Sequence, residues 1–203
     1  MRFISDNNSH TTCMITDLQT LCDWASAWIL FICTLHPCSS LGVENVENVE
    51  NVENGQNVQT VEKRAAIFDI DGTLLREDDS LIAPVHTLLL LCSRLNILVY
   101  ILTARQESEF DRRVITRVFT GHGISYEELR MMPRHEQADP YAFKAKQREL
   151  ISAQANIVLN VGDNWYDHDS TLLTSFLEKD IRTDESVGWF QQNICSIKVN
   201  KNI

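Results

Sequence analysis

From Lys63 onward, short and largely unbroken apolar runs take turns with stretches whose apolar residues recur at helical spacing. The runs are residues 65–68 (AAIF), 97–102 (ILVYIL) and 156–161 (NIVLNV). Because they do not alternate with polar residues, each is predicted to be a strand buried on both faces, as the strands of a parallel sheet are. Between the first two, Val85, Leu88, Leu89, Cys92 and Leu95 mark a helix opened by Pro84, a favoured first-turn residue. Phe110, Val114, Ile115 and Val118 mark a second helix from about residue 108 to residue 120, with Gly121 as its stop signal. A third is predicted over residues 140–153, with a short strand at residues 129–132 before it. Beyond Asp163 the pattern weakens to a helix near residues 170–178 and a terminal strand near residues 195–199. This alternation is the signature of βαβ units.

The first sixty residues follow another logic. Residues 24–35, WASAWILFICTL, are apolar but only twelve long, whereas a bilayer needs about 20. A secretory signal wants a positive start, and here Arg2 is opposed by Asp6, Asp17 and Asp23. The segment is open to three readings: a signal or anchor touching a membrane, a short amphipathic or buried helix, or a poorly ordered extension. Localisation is cytoplasmic by default, and secreted or membrane-anchored if the segment acts as a signal or anchor. Next, Val-Glu-Asn repeats four times from Val43 to Asn54. A period of three matches neither helix nor strand, so its valines form no face and the repeat reads as an acidic, flexible linker. The expected organisation is an N-terminal extension over residues 1–61 and a domain over residues 62–203.

Composition narrows the class. With 203 residues, 44% hydrophobic and 23% charged, and only 7 Gly and 4 Pro, collagen-like, fully disordered and multispan membrane chains are excluded, and the length suits one domain. Residues 1–62 carry one basic and eight acidic side chains, and the remainder 17 and 20. Neither part has the basic excess of a nucleic-acid binder, so a nucleic-acid partner is not expected. The six cysteines form no CxxC pair or zinc-ligand spacing and are read as reduced.

The chemistry gathers at strand ends. The first run stops in FDIDGTL, which puts Asp69 and Asp71 at the carboxyl end of a buried strand. Two anions leaving water together need a shared proton or a cation. The second run ends at Thr103-Ala104-Arg105, and the third in GDNWYDHD, which carries Asp163, Asp167, His168 and Asp169. In an open parallel sheet, ligands bind outside the carboxyl ends of the strands near the switch in strand order. Four carboxylates and a hydroxyl would meet there, and hard oxygen ligands with no thiol suit Mg2+.

FDIDGTL, the strand end at Thr103, Lys144 and GDNWYD, in this order, resemble the haloacid dehalogenase-like phosphohydrolases over residues 63–199. FKAKQREL followed by NIVLNVGDNWYD is similar to the acid-phosphatase branch, in which a Lys followed four residues later by Arg precedes the turn, although that branch usually has an acidic residue where Gly72 stands. The resemblance implies a doubly wound, three-layer α/β parallel sheet, Rossmann-like, and a phosphomonoester substrate. It implies that Asp69 attacks phosphorus to form an aspartyl-phosphate. Asp71 would protonate the leaving oxygen and then deprotonate water. Mg2+ would be held by Asp69, the main-chain carbonyl of Asp71 and Asp163, with Asp167 supporting the metal shell. Thr103 and Lys144 would neutralise the phosphoryl oxygens. Lys146 competes with Lys144 for that role, but two helix positions differ by about 200°, so both cannot face one site.

Other residues read as ordinary. Arg112, Arg113 and Arg117 suit surface pairing, Glu109 standing four before Arg113. His168 reads as a polar turn residue beside the site, and Trp165 and Tyr166 as packing over its edge. The intervals between Asp71, Thr103 and Lys144 are filled by the predicted helices and strand, so no sizeable cap domain is expected and the site should be open. Two further readings stand beside a phosphomonoesterase of acid-phosphatase or nucleotidase type: a phosphatase of nucleic-acid ends, and a non-catalytic storage or binding protein that retains the fold. Oligomeric state is open.

Overall fold

The computed structural model describes residues 2–5, 11–14, 17–35, 63–134, 139–168, 186–191 and 194–200. In chain order these form β1 (Arg2–Ser5), β2 (Thr11–Met14), α1 (Leu18–Leu35), β3 (Arg64–Phe68), α2 (Ala83–Arg94), β4 (Leu98–Gln106), α3 (Glu109–Gly121), β5 (Glu128–Met132), α4 (Pro140–Ser152), β6 (Asn156–Gly162), a 3-10 turn (Trp165–Asp167), β7 (Val187–Gln191) and β8 (Ile194–Lys198). The Val-Glu-Asn repeat and the helix expected near residues 170–178 lie outside the described residues.

One sheet runs in the order β1-β2-β7-β8-β6-β3-β4-β5. Five neighbours, β8-β6-β3-β4-β5, are parallel; β7, β2 and β1 continue from β8 in antiparallel pairs. From β3 the chain winds outward through β4 and β5, then returns to β6 on the other side of β3. This is the doubly wound α/β arrangement, and its switch point lies between β3 and β6. The unbroken apolar runs become central strands because helices cover both faces. On one face Val85, Leu88, Leu89 and Cys92 of α2 and Ile115 and Phe119 of α3 pack with Ala66, Phe68, Val99 and Ile101. On the other, Ile151 of α4 packs with Ala65, Ile67, Tyr100, Leu102 and Ile157. Ser108 caps α3 by accepting the Asp111 N–H at 3.0 Å. Asp139 caps α4, with Pro140 in the first turn. No second domain stands over the carboxyl ends of the strands among the described residues.

The N-terminal part departs from the sequence reading. The apolar segment at residues 24–35 belongs to an 18-residue helix starting at Leu18, long and apolar enough by composition to cross a membrane at mean hydropathy 1.4. Here it packs on the sheet: Leu18, Leu21, Cys22, Ala25 and Ile29 are buried in the same core as α2, Cys195 and Ile197. Of the three readings of the segment, the packing here is that of a buried helix. Its docking depends on Gly188 of β7, where a Cβ would lie 2.7 Å from Leu21 Cδ2 and 3.2 Å from Trp24 Cζ3. The physical reason is coverage: α2 and α3 lie over β3, β4 and β5, and without α1 the apolar face of β8 would be bare. Thr103 also differs, since β4 runs four residues beyond the predicted run and Thr103 lies inside the strand, before a register shift ahead of Gln106.

Candidate active site

The switch point is built by two strand ends and a turn. Asp69 directly follows β3 and its N–H donates to Val161 O of β6 at 3.0 Å, which ties the two ends together. Behind it, Ile70 O accepts the N–H groups of Thr73, Leu74 and Leu75 at 3.2, 2.9 and 2.9 Å, closing a tight turn. Gly72 sits there at φ +67°, a left-handed conformation that favours glycine, and a Cβ on it would lie 2.9 Å from Asp163 Oδ2. On the other side, Gly162 ends β6 so close to Asp167 that a side chain at 162 would collide with it. Asn164 N–H donates to Asp167 Oδ2 at 2.8 Å and Asn164 Nδ2 to Asp163 Oδ1 at 2.7 Å.

Lys144, only 1% exposed, reaches in from α4. Its Nζ donates to Asp69 Oδ1 at 2.7 Å and, in a short contact, to Asp167 Oδ1; it also lies 5.1 Å from the Tyr166 ring centroid. Burial works against its charge, yet Asp69 and Asp167 hold the ammonium above its ordinary range. Burial, then the Asp167 charge, pushes the Asp69 carboxyl well above the usual carboxylate range, against the pull of Lys144. Burial likewise raises Asp167, again opposed by Lys144. Three buried carboxylates around one ammonium leave an excess of negative charge when all are ionised.

One carboxylate oxygen from each of Asp69, Asp163 and Asp167 falls within 4.8 Å of the other two. Hard oxygens, carried on a sheet that fixes them before any ion arrives, fit a small divalent cation such as Mg2+.

The remaining predicted residues are placed differently. Asp71 is not one of the grouped carboxylates: its side chain is 55% exposed, and Arg105 grips it from Nε at 2.9 and 3.1 Å and from Nη2 at 2.6 Å. Thr103 is buried, and its Oγ1 accepts the Arg105 N–H at 3.1 Å. Lys146 is exposed and pairs with Glu149 at 2.8 Å. Arg113 pairs with Glu109 at 3.6 Å, as the spacing predicts, and Arg112 with Glu107 at 2.7 Å. Trp165 lies under Lys198, whose Nζ is 5.2 Å from the ring centroid. His168 is fully buried, not an exposed turn residue, and burial followed by the Arg148 charge depresses its imidazole well below the ordinary range.

Arg148, Asn160 and Asn164 hold the turn, and of these only Arg148 is marked in the sequence. An arginine on an amphipathic helix ordinarily reads as solvated, and the asparagine within NIVLNV reads as one polar residue in a strand. The four-residue spacing from Lys144 to Arg148 is the single clue, because it places both on one helix face.

A scan of family models finds no match to the chain, and no curated protein matches it. Among solved structures it is similar to a Pnkp1/Rnl/Hen1 complex at 19% identity and TM-score 0.49, over 63% of this chain and 46% of that one. It is similar to the Pnkp1/Rnl/Hen1 RNA repair complex at 20% identity and TM-score 0.48, over 61% and 42%. A class C acid phosphatase from Bacillus anthracis, with tungstate bound, is similar at 17% identity and TM-score 0.45, over 74% and 65%. The chain thus spans less than half the length of the first two.

Proposed function

We propose that the chain is a Mg2+-dependent phosphomonoesterase working through an aspartyl-phosphate on Asp69. The observation that carries this is the meeting of three buried carboxylates and a buried lysine at the switch point of a doubly wound sheet, where such folds bind ligands. The resemblance of FDIDGTL and GDNWYD to the haloacid dehalogenase-like phosphohydrolases supports the same chemistry.

In this mechanism an Asp69 carboxylate oxygen attacks phosphorus and the bond to the leaving oxygen breaks. Asp71 acts as general acid and gives that oxygen a proton. Water then attacks the aspartyl-phosphate, Asp71 takes its proton, and phosphate leaves with Asp69 restored. Asp71 must first leave the Arg105 fork, which holds both its oxygens. Lys144 neutralises the carboxylates beside the transferring group and the charge that grows on its oxygens. Thr103, with its oxygen already accepting from Arg105, keeps its O–H to donate. Asp69, the Asp71 carbonyl and Asp163 would hold Mg2+, with Asp167 orienting the set. When bound, the ion supplies charge neutralisation between a carboxylate nucleophile and a phosphate dianion.

The test is release of p-nitrophenol from p-nitrophenyl phosphate by the full chain. Turnover that requires Mg2+ and disappears in Asp69→Asn is expected. A folded, Mg2+-supplied chain with no turnover of this or other small phosphomonoesters overturns the proposal.

A further inference from the structure

Three successive main-chain carbonyls around Asp167 each receive a side-chain donor from outside the turn. Arg148 Nη1 donates to Tyr166 O at 2.9 Å, Asn160 Nδ2 to Asp167 O at 2.9 Å, and Arg148 Nη2 to His168 O at 3.0 Å. All three bonds lie in a part of the protein where Arg148, Asn160, Asp167 and His168 are buried. A three-residue 3-10 turn has almost no ladder of its own, so side-chain donors take up carbonyls that a longer helix would satisfy internally.

We propose that Arg148 and Asn160 are positioning residues for Asp167, and that through them α4 sets Lys144 and Asp167 as one unit; this rests on the phosphomonoesterase reading. Lys144 and Arg148 are four residues apart and both buried, so one face of α4 presents two cations to the same turn. The ammonium meets the Asp167 carboxylate, and the planar guanidinium fork spans the carbonyls on either side of it. Asp167 cannot shift relative to Lys144 without breaking bonds on both flanks. Its Oδ2 is meanwhile fixed by the Asn164 N–H, so both carboxylate oxygens and the backbone are oriented before substrate or cation arrives. Such orientation is what an electrostatic site needs, because no reorganisation is then left to the reaction itself. A lysine at 148 keeps the charge but has no fork to span two carbonyls.

The experiment uses the full chain carrying Arg148→Lys or, as the milder change, Asn160→Ser. Hydrogen exchange without Mg2+ is expected to show residues 164–168 exchanging faster, while β3 and the buried part of β6 keep their protection. The Mg2+ concentration giving half-maximal hydrolysis of p-nitrophenyl phosphate is expected to rise by about 10- to 100-fold, as when groups that orient metal ligands are lost. KM for the ester at saturating Mg2+ should move less than about threefold, since neither residue meets the substrate. Unchanged exchange at 164–168 together with an unchanged Mg2+ requirement overturns the proposal. Should Arg148→Lys not fold, Asn160→Ser is read by the same criteria. If the unaltered chain hydrolyses no phosphomonoester, the functional reading falls, and exchange at 164–168 alone decides the clamp.

Discussion

Lys144 Nζ lies 2.7 Å from Asp69 Oδ1 and also bonds Asp167 Oδ1, so one buried ammonium joins carboxylates that follow two different strands. Removing it while leaving the anions in place should cost about 3–5 kcal/mol, the range for breaking a buried pair from one side. Lys144→Met is therefore expected to lower stability strongly in urea unfolding, and added Mg2+ to restore part of the loss. Lys146→Met, at an exposed pair, should stay within about 0.5 kcal/mol of the unaltered chain. Equal effects from the two substitutions would remove Lys144 from the site.

Asp69→Asn should abolish turnover, by at least about a thousandfold, because an amide keeps the shape but is neither nucleophile nor good metal ligand. Stability without Mg2+ should not fall, since the carboxylate it replaces is opposed by burial and by Asp167. Circular dichroism and a melting curve beside the assay separate the two statements. A folded variant with substantial activity would exclude the covalent mechanism.

The pH dependence follows from the raised carboxyls. A group whose folded pKa lies above its unfolded value contributes stability that is complete below the unfolded pKa and is lost as pH rises through the folded one. For Asp69 the unfolded value is near 3.8 and the folded one well above it. Without divalent cation, stability of the unaltered chain relative to Asp69→Asn should therefore decline as pH rises from about 4. Cation and proton compete for these carboxylates, so apparent Mg2+ affinity should weaken as pH falls, from a higher pH than for an ordinary carboxylate. Melting shifts with Mg2+ across a pH series measure both. An affinity independent of pH would place the ion elsewhere.

Gly162→Ala puts a methyl into the side chain of Asp167. Overpacking of this kind costs about 1–3 kcal/mol, and here the atom displaced belongs to the acidic cluster. The expected result is a weaker response to Mg2+ and a loss of turnover larger than the loss of stability. Full activity in the alanine variant would show that Asp167 tolerates movement.

Deleting residues 1–61 tests the N-terminal helix. Leu18, Leu21 and Ile29 are buried, and at about 1.5–3 kcal/mol for each such side chain their loss removes a large share of a typical margin of 5–15 kcal/mol. The sequence pattern points to a self-sufficient domain from Glu62; the packing points to a fragment that aggregates or melts far lower. A fragment with an unchanged melting temperature would show that α1 is dispensable.

The parallel core and the positions of Asp69 and Asp163 are legible in the chain because each acid stops an apolar run, a pattern that only a strand end explains. Lys144 is legible through its spacing to Arg148. Asp71 and Thr103 are harder. Their side-chain directions depend on Arg105 and on a register shift in β4, and neither leaves a mark in the local pattern. The strands β1, β2 and β7 are hidden for a related reason: the β2–β7 pairing that joins them to the sheet spans most of the sequence, and their short runs lack the apolar repetition of the core. For α1, charge and length argue about membranes, while part of the surface it packs on, the strand carrying Gly188, is more than 150 residues away.

That distance has a consequence for how the chain acquires its structure. Helix α1 is made long before Gly188, Cys195 and Ile197, against which it packs. Strand β3 waits similarly, pairing Ala65 with Leu98 early and with Ile157 only much later. Contacts so far apart in sequence make for slow folding, of the order of milliseconds to seconds. Through that interval an apolar helix, with Leu30, Phe31 and Leu35 exposed even in the finished molecule, has α2 to lie on but not β7 and β8. The acidic cluster, which needs β6 beside β3, closes only once the chain has been made through Asp167.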